Sequence, residues 1–397
     1  MKKILLLSLA VMLVTSACAP NLSDDKETVQ QTNNKKEKAV IPKYSISDDY
    51  YRTILPFKAG VARGLVAANL NNRLDAQEFE TGLMRLSTDS YSPKKYVYQE
   101  GQYLDKDTIR SWLSRKLSDK QFKDLQSKTK DETAKKKLKN NGLNPIDTEK
   151  GDLKTRNETS PMYLANITEQ DYLIQDGDDK VKLGGVTIGL AMNSVHYYTE
   201  ENGYAREVKL TNKEIEAQGK QMADEIVKRM RNIKGLENVP VRVALFKQSA
   251  KSSLTPGNFI AAGNAGSNDT AVGSWDNLDE QYYLFPSSDA TKDHRDDAMK
   301  FDEFKAQIED YFPNFTSVVG KGYYKDGQLQ KMTIDIPVQF YGKGEIVGFT
   351  QYVAGLMLDH FPSYMETSIS INSVSGPEAL IVRKADEDKP FVHIYEE

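Results

Sequence analysis

GVTIGLAMNSV, residues Gly185–Val195, is the stretch from which the fold can be read. Apolar and β-branched residues run through it without a helical period, and Gly184 and Asn193-Ser194 punctuate its ends. That is the pattern of a buried strand. A hairpin-like excursion follows, HYYTEENGYAREVKL, with the turn residues Asn202-Gly203. Next comes a helix, TNKEIEAQGKQMADEIVKRMRNI, whose inward side is Ile215, Met222, Ile226, Met230 and Ile233. Thr211 with Glu214 three residues on forms a capping-box start, and Gly235 closes the helix. VPVRVALFK (Val239–Lys247) is the returning strand.

The C-terminal third repeats this order. KMTIDIPVQFY (Lys331–Tyr341) is a strand in which MTIDIPV aligns with VTIGLAM. GKGEIVGFTQYVAGLMLDHF is a helix facing inward through Ile346, Phe349, Val353, Leu356 and Met357 and ended by Pro362. METSISINSV (Met365–Val374) alternates as the returning strand, with EALIVRK and PFVHIYE as further strands. Strand–helix–strand connections in one sheet place the two strands parallel and right-handed. The expected fold is therefore α+β (α/β roll-like), with two related strand–helix–strand repeats in mixed sheets. The first repeat occupies residues 46–250 and the second 251–397.

Outside the repeats, DAQEFETGLMRL reads as a short helix, while AGVARGLVAANLNNR fits an irregular segment or a short helix. KKYVYQEGQYL reads as a hairpin turning near Glu100-Gly101. Residues Asp105–Lys139 are helical, with Ile109, Trp112, Leu113 and Leu117 on one side and a second start at Ser118 and Gln121. MYLANI and QDYLI are strand-like. Lys251–Asp279, rich in Gly, Asn and Ser, reads as a long surface connection, and Arg295–Tyr311 as another helix.

The N-terminus is of a different kind. Lys2 and Lys3 precede the apolar run ILLLSLAVMLV, too short for a membrane span of about 20 residues and fitting an export signal over residues 1–17. TSAC resembles a bacterial lipobox, although Thr15 stands where leucine or valine is usual. Cys18, the only cysteine, is then the acceptor of a diacylglycerol, and one thiol allows no disulfide within the chain. Two acyl chains hold firmly where one holds only marginally. Residues 18–45 contain almost nothing apolar and read as the lipidated cysteine followed by a disordered tether. Some 25 residues of coil span roughly 25–30 Å. These readings place the protein on the extracytoplasmic face of the cell membrane.

Chemistry is sparse. A net charge of −4 with 28% charged residues does not suit a nucleic-acid partner. His196, His294, His360 and His393 form no zinc-binding spacing. DATKDHRDD lacks the ordered oxygen ligands and glycine of a calcium loop. GNFIAAGNAGSNDTAVGSW lacks a phosphate-loop ending, and there is no nucleophile elbow. No cofactor, metal or catalytic residue is expected. The 21 tyrosines suit half-exposed sheet faces and binding surfaces.

Four stretches, YYRTILPFKAGVARGLV (Tyr50–Val66), GGVTIGLAMNSVHYY (Gly184–Tyr198), PGNFIAAG (Pro256–Gly263) and IPVQFYGKGEIVGFTQY (Ile336–Tyr352), together with the leader, resemble the CamS family of sex-pheromone-precursor lipoproteins of Gram-positive bacteria. The resemblance implies two related repeats and no known catalytic residues. It also implies that lipoprotein signal peptidase releases the leader, whose trimmed end acts as a secreted pheromone promoting conjugative plasmid transfer. The matching peptide is Ala10, Val11, Met12, Leu13, Val14, Thr15, Ser16 and Ala17, or the heptamer from Val11. For the folded body two functions stay open: a binding module for a peptide or cell-envelope ligand, and a cell-envelope enzyme.

Overall fold

The computed structural model describes residues 26–32, 35–47, 50–177, 180–311, 317–339 and 342–396. The first part contains strands β1 (Lys26–Thr32), β2 (Lys35–Ile41), β3 (Arg52–Thr53), β4 (Tyr96–Glu100), β5 (Leu164–Gln175), β6 (Lys180–Met192), β7 (Val195–Thr199), β8 (Ala205–Lys209), β9 (Val241–Lys247), β10 (Asn258–Ala265) and β11 (Ser274–Asn277). Between them lie helices α1 (Leu65–Asn69), α2 (Arg73–Ser87), α3 (Lys106–Leu113), α4 (Asp119–Lys128), α5 (Glu132–Lys137), α6 (Leu153–Thr159) and α7 (Asn212–Met230). The second part is β12 (Glu280–Phe285), α8 (Ser288–Asp293), α9 (Arg295–Tyr311), β13 (Val319–Lys325), β14 (Gln328–Pro337), α10 (Lys343–His360), β15 (Glu366–Ser373), β16 (Gly376–Arg383) and β17 (Phe391–Ile394).

GVTIGLAM lies in β6, which pairs in parallel with β9 (Val186 opposite Val241) after the α7 crossover. In the second part β14 pairs in parallel with β15 (Lys331 opposite Glu366) after α10. The agreement extends further. The strand path β4-β5-β6-β9-β10-β11 and the path β12-β13-β14-β15-β16-β17 share one order. Both run antiparallel, antiparallel, parallel, antiparallel, antiparallel. β7 and β8 pair only with each other, as the hairpin that interrupts the first crossover.

The two sheets differ in what covers them, and the sequences show why. α7 packs Ile215, Met222, Ile226 and Met230 against Val186, Ile188, Val243 and Leu245. From the other side α2 brings Phe79 and Leu83 onto Ala191, Ala244, Phe246 and Phe259. The middle of β6 is thus buried on both faces, so its apolar run is continuous. β14 alternates instead: Met332, Ile334 and Ile336 are buried with α9 and α10, while Thr333 and Asp335 are exposed. α7 begins with the expected capping box at Thr211 and Glu214 but ends at Met230, short of Ile233. The box at Ser118 and Gln121 also forms.

Three expectations are corrected. The segment expected as a tether contains the β1–β2 hairpin, which lies alongside β6 (Val29 opposite Lys180, Gln30 opposite Val181). Val40 and Leu55 exchange main-chain hydrogen bonds at 2.8 and 2.9 Å, so the end of the first sheet curls into a ring through β3, β4, β5, β6, β1 and β2. Ala39, Ile41, Ile54, Val97, Leu173 and Val181 fill it, and Gln30 donates to Gln99 inside. Composition missed this because backbone pairing, which does not depend on side-chain polarity, joins β1 to β2 and to β6. The Lys251–Asp279 connection holds β10 and β11, which belong to the first sheet, so the divide falls at Leu278-Asp279 and not after residue 250. Small residues at Ala261, Ala262 and Gly263 had disguised a buried strand. The chain does not turn back at Glu100-Gly101; β4 pairs with β3 and β5. Most described tyrosines are half-buried or exposed, as expected, while Tyr51, Tyr91 and Tyr172 form a buried cluster.

Candidate functional site

A cleft of about 190 Å³ opens where the loop before α1 crosses the end of β4 and the middle of β5. Ala62, Leu65, Val66, Met84, Leu104 and Ile167 give it apolar walls, and Arg63, Glu80, Glu100 and Glu169 its charges. Two glycines let the backbone close in. The N–H of Gly60 donates to Glu100 Oε2 at 2.6 Å, and a Cβ on Gly101 would fall 2.5–2.8 Å from the Glu169 side chain. Gly64, at φ 96°, supplies the left-handed turn that starts α1.

β5 places Glu169 and Asp171 two residues apart, hence on the same face. Glu169 accepts from the N–H of Leu104 at 2.7 Å and of Tyr103 at 3.2 Å. Asp171 accepts from the N–H of Gln102 at 3.0 Å. Burial raises both carboxyls, and the charge of Glu169 raises Asp171 further. The pair clamps the Gln102–Leu104 backbone, and Glu169 also borders the cleft. Burial, then the charge of Glu100, raises Glu80, against the opposing pull of Arg63. The Arg63 guanidinium lies 3.7 Å from Glu100 and is largely exposed. Tyr98 on the wall is held neutral by burial and by Glu100. The arrangement is a small acid-rimmed recess with one cation at its mouth. Among the described residues no group of three His, Cys, Asp or Glu could hold a metal ion, and no helix is long and apolar enough to cross a membrane.

A second buried acid fixes the neighbouring loop. Asp75, in the first turn of α2, accepts from the N–H of Gly257 at 2.6 Å and of Ser249 at 3.2 Å. Its other oxygen is buried without a partner. Burial pushes its pKa up to about 6, against the lowering effect of those two donors.

Residues 57–389 match the family described as CamS sex pheromone cAM373 precursor. The chain belongs to the CamS family. Two solved structures of sex pheromone precursors are similar to this chain. The C-terminal domain of the sex pheromone staph-cAM373 precursor from Staphylococcus aureus is 36% identical, with a TM-score of 0.72 over 83% of this chain and 99% of that one. The sex pheromone precursor from Lactobacillus salivarius subsp. salivarius UCC118 is 32% identical, with a TM-score of 0.77 over 89% of this chain and 98% of that one. No curated protein matches.

The expected CamS positions separate into two sets. Cys18 and the peptide Ala10–Ala17 lie outside the described residues. The Tyr50–Val66 stretch lines the cleft through Gly60, Ala62 and Arg63, and PGNFIAAG forms the start of β10 beneath the Asp75 clamp. The histidines do not converge. His196 is buried against Asn157, and burial, then the charge of Arg115, lowers its pKa to about 4. His294 stacks on Tyr324, His360 contacts Gln307, and His393 sits on β17. Glu80, Glu100, Glu169, Asp171 and Asp75 went unnoticed in the sequence. A pair of acids two apart within LANITEQDYLI was the available signal, since a strand buried there cannot leave them solvated.

Proposed function

We propose that this CamS protein is a lipoprotein held on the extracytoplasmic face of the cell membrane by a diacylglycerol on Cys18. Its released leader is trimmed to Ala10–Ala17, a hydrophobic peptide that promotes conjugative plasmid transfer. The observation that carries the reading is the pairing of a lipobox-like TSAC at Cys18 with a body whose residues 57–389 match a pheromone-precursor family. An uncharged apolar octamer also suits a hydrophobic peptide groove in its receptor. Mass spectrometry of culture medium, combined with membrane fractionation of wild type and Cys18→Ala, tests both halves. The expected result is an Ala10–Ala17 fragment outside wild-type cells, and loss of the body from membranes in the variant. A variant that stays on the membrane with normal processing refutes lipidation; medium without the fragment refutes the precursor reading.

The folded body acts in this reading as a binding module that seats a positively charged group of a peptide or envelope ligand in the acid-rimmed cleft. Calorimetric titration with short peptides, free or acetylated at the amino terminus, checks it. Binding that ignores the amino charge refutes it. The other reading, a cell-envelope enzyme, draws on the raised Glu80, Glu169 and Asp171 carboxyls near one recess. Three backbone N–H groups already occupy Glu169 and Asp171, which favours a structural role for that pair.

A further inference from the structure

The β1–β2 hairpin changes where the body stands relative to lipid. Only residues 19–25 separate Cys18 from the start of β1. Eight Cα-to-Cα steps reach at most about 28 Å fully extended. Lys26 pairs with Ile41, so the chain enters the fold beside the point where it leaves β2. The residues that follow β2 carry three large side chains turned to solvent: Tyr44 is 81% exposed, Ile46 78% and Tyr50 59%. They lie at the same end of the first sheet as the β5–β6 turn, because β1 runs parallel to the start of β6. That end of the body is therefore the one the chain from Cys18 enters.

We propose that Tyr44, Ile46 and Tyr50 form a membrane-docking edge that inserts into the lipid interface beside the Cys18 anchor. The inference rests on the anchored reading above. An apolar side chain flanked by two tyrosines suits the headgroup level, where an amphipathic ring can bury its body and keep its hydroxyl wet. A solitary exposed residue would need no explanation. Three within seven positions, at the end held within about 28 Å of the anchor, have a surface within reach. Docking there orients the body: β6 rises away from the membrane by roughly 40 Å over its thirteen residues, and Leu254, in the loop beyond β9, marks the far end.

The test uses the full lipidated chain in neutral phosphatidylcholine vesicles. Lipidation consumes the one natural cysteine, so Ser45→Cys and Leu254→Cys each provide a unique thiol for an environment-sensitive dye. Flotation with the vesicles is measured first, then quenching by lipids bearing a nitroxide near the headgroup. The expected result is flotation, with quenching at position 45 at least twofold stronger than at 254. In the unlipidated Cys18→Ser chain, Tyr44→Ser/Ile46→Ser/Tyr50→Ser should lower vesicle partition tenfold or more. Flotation with equal quenching at both positions overturns the docking edge and leaves the anchor standing. A chain that does not float overturns the anchor, and docking beside it falls too. Shielding of position 45 in a lipid-free dimer assigns the patch to a second copy and likewise overturns the proposal.

Discussion

Replacing Asp75 by asparagine isolates one buried charge from the rest of the molecule. The carboxyl of Asp75 is fully buried, with one oxygen on the N–H groups of Gly257 and Ser249 and the other unpartnered. Its pKa of about 6 in the fold stands above the 3.8 of a free aspartate. The folded state therefore takes up the proton before the unfolded state does, so stability rises as pH falls from about 6 toward 4 and is lost as pH rises through the same window. Two units correspond to about 3 kcal/mol at most, at about 1.4 kcal/mol per unit. The asparagine side chain keeps the oxygen that accepts both N–H groups, and places an NH2 where the unpartnered oxygen stood. Urea unfolding of the chain from residue 19, for wild type and Asp75→Asn between pH 4 and 7.5, reads the effect. The stability of the variant relative to wild type should increase by about 2–3 kcal/mol across that range, because every other titrating group cancels in the difference. Curves that stay parallel within about 0.5 kcal/mol, the usual additivity error, refute the account of Asp75 as a charge held against its preference.

Other substitutions probe the cleft, the join between the sheets and the crossover. Gly101→Ala drives a methyl into the Glu169 side chain, which backbone donors fix in place, and should cost about 2 kcal/mol by overpacking; an unchanged urea midpoint argues against the clamp. Arg85 bonds Glu78 at 2.9 Å and the buried Glu280 at 3.1 Å, joining α2 to β12. Arg85→Met should cost on the order of 3 kcal/mol by stranding both carboxylates and should split calorimetric unfolding into two transitions; a single unshifted transition removes Arg85 as the coupling between sheets. Thr211→Ala deletes the α7 capping box and should lower stability by about 1 kcal/mol, read as a smaller midpoint shift than either of the others.

β6 was legible because burial on both faces left a signature: GVTIGLAM carries no charged residue, and α7 and α10 carry apolar residues at helical spacing. In the second sheet MTIDIPV alternates, with Thr333 and Asp335 on its exposed face. Segments stabilised by main-chain pairing were opaque. KETVQQT and KKEKAVI look unfoldable by composition, yet they share backbone bonds with each other and β6. β10 was hidden by its small residues, which suit close packing under α2 and read as loop. The cleft was least visible of all. Its acids come from α2, β4 and β5, and only the fold brings Glu80, Glu100 and Glu169 to one place.

The ring at the end of the first sheet has a practical consequence for any shortened version of the chain. A chain beginning at residue 57, where the family match begins, would lack β1, β2 and β3. It would uncover the starts of β6 and β4 together, with Val97, Leu173 and Val181 left open. Unpaired strand borders with apolar neighbours template sheet extension between molecules. Such a fragment should precipitate or associate where a chain that keeps residues 26–55 stays monodisperse, so the choice of first residue decides whether soluble material can be made.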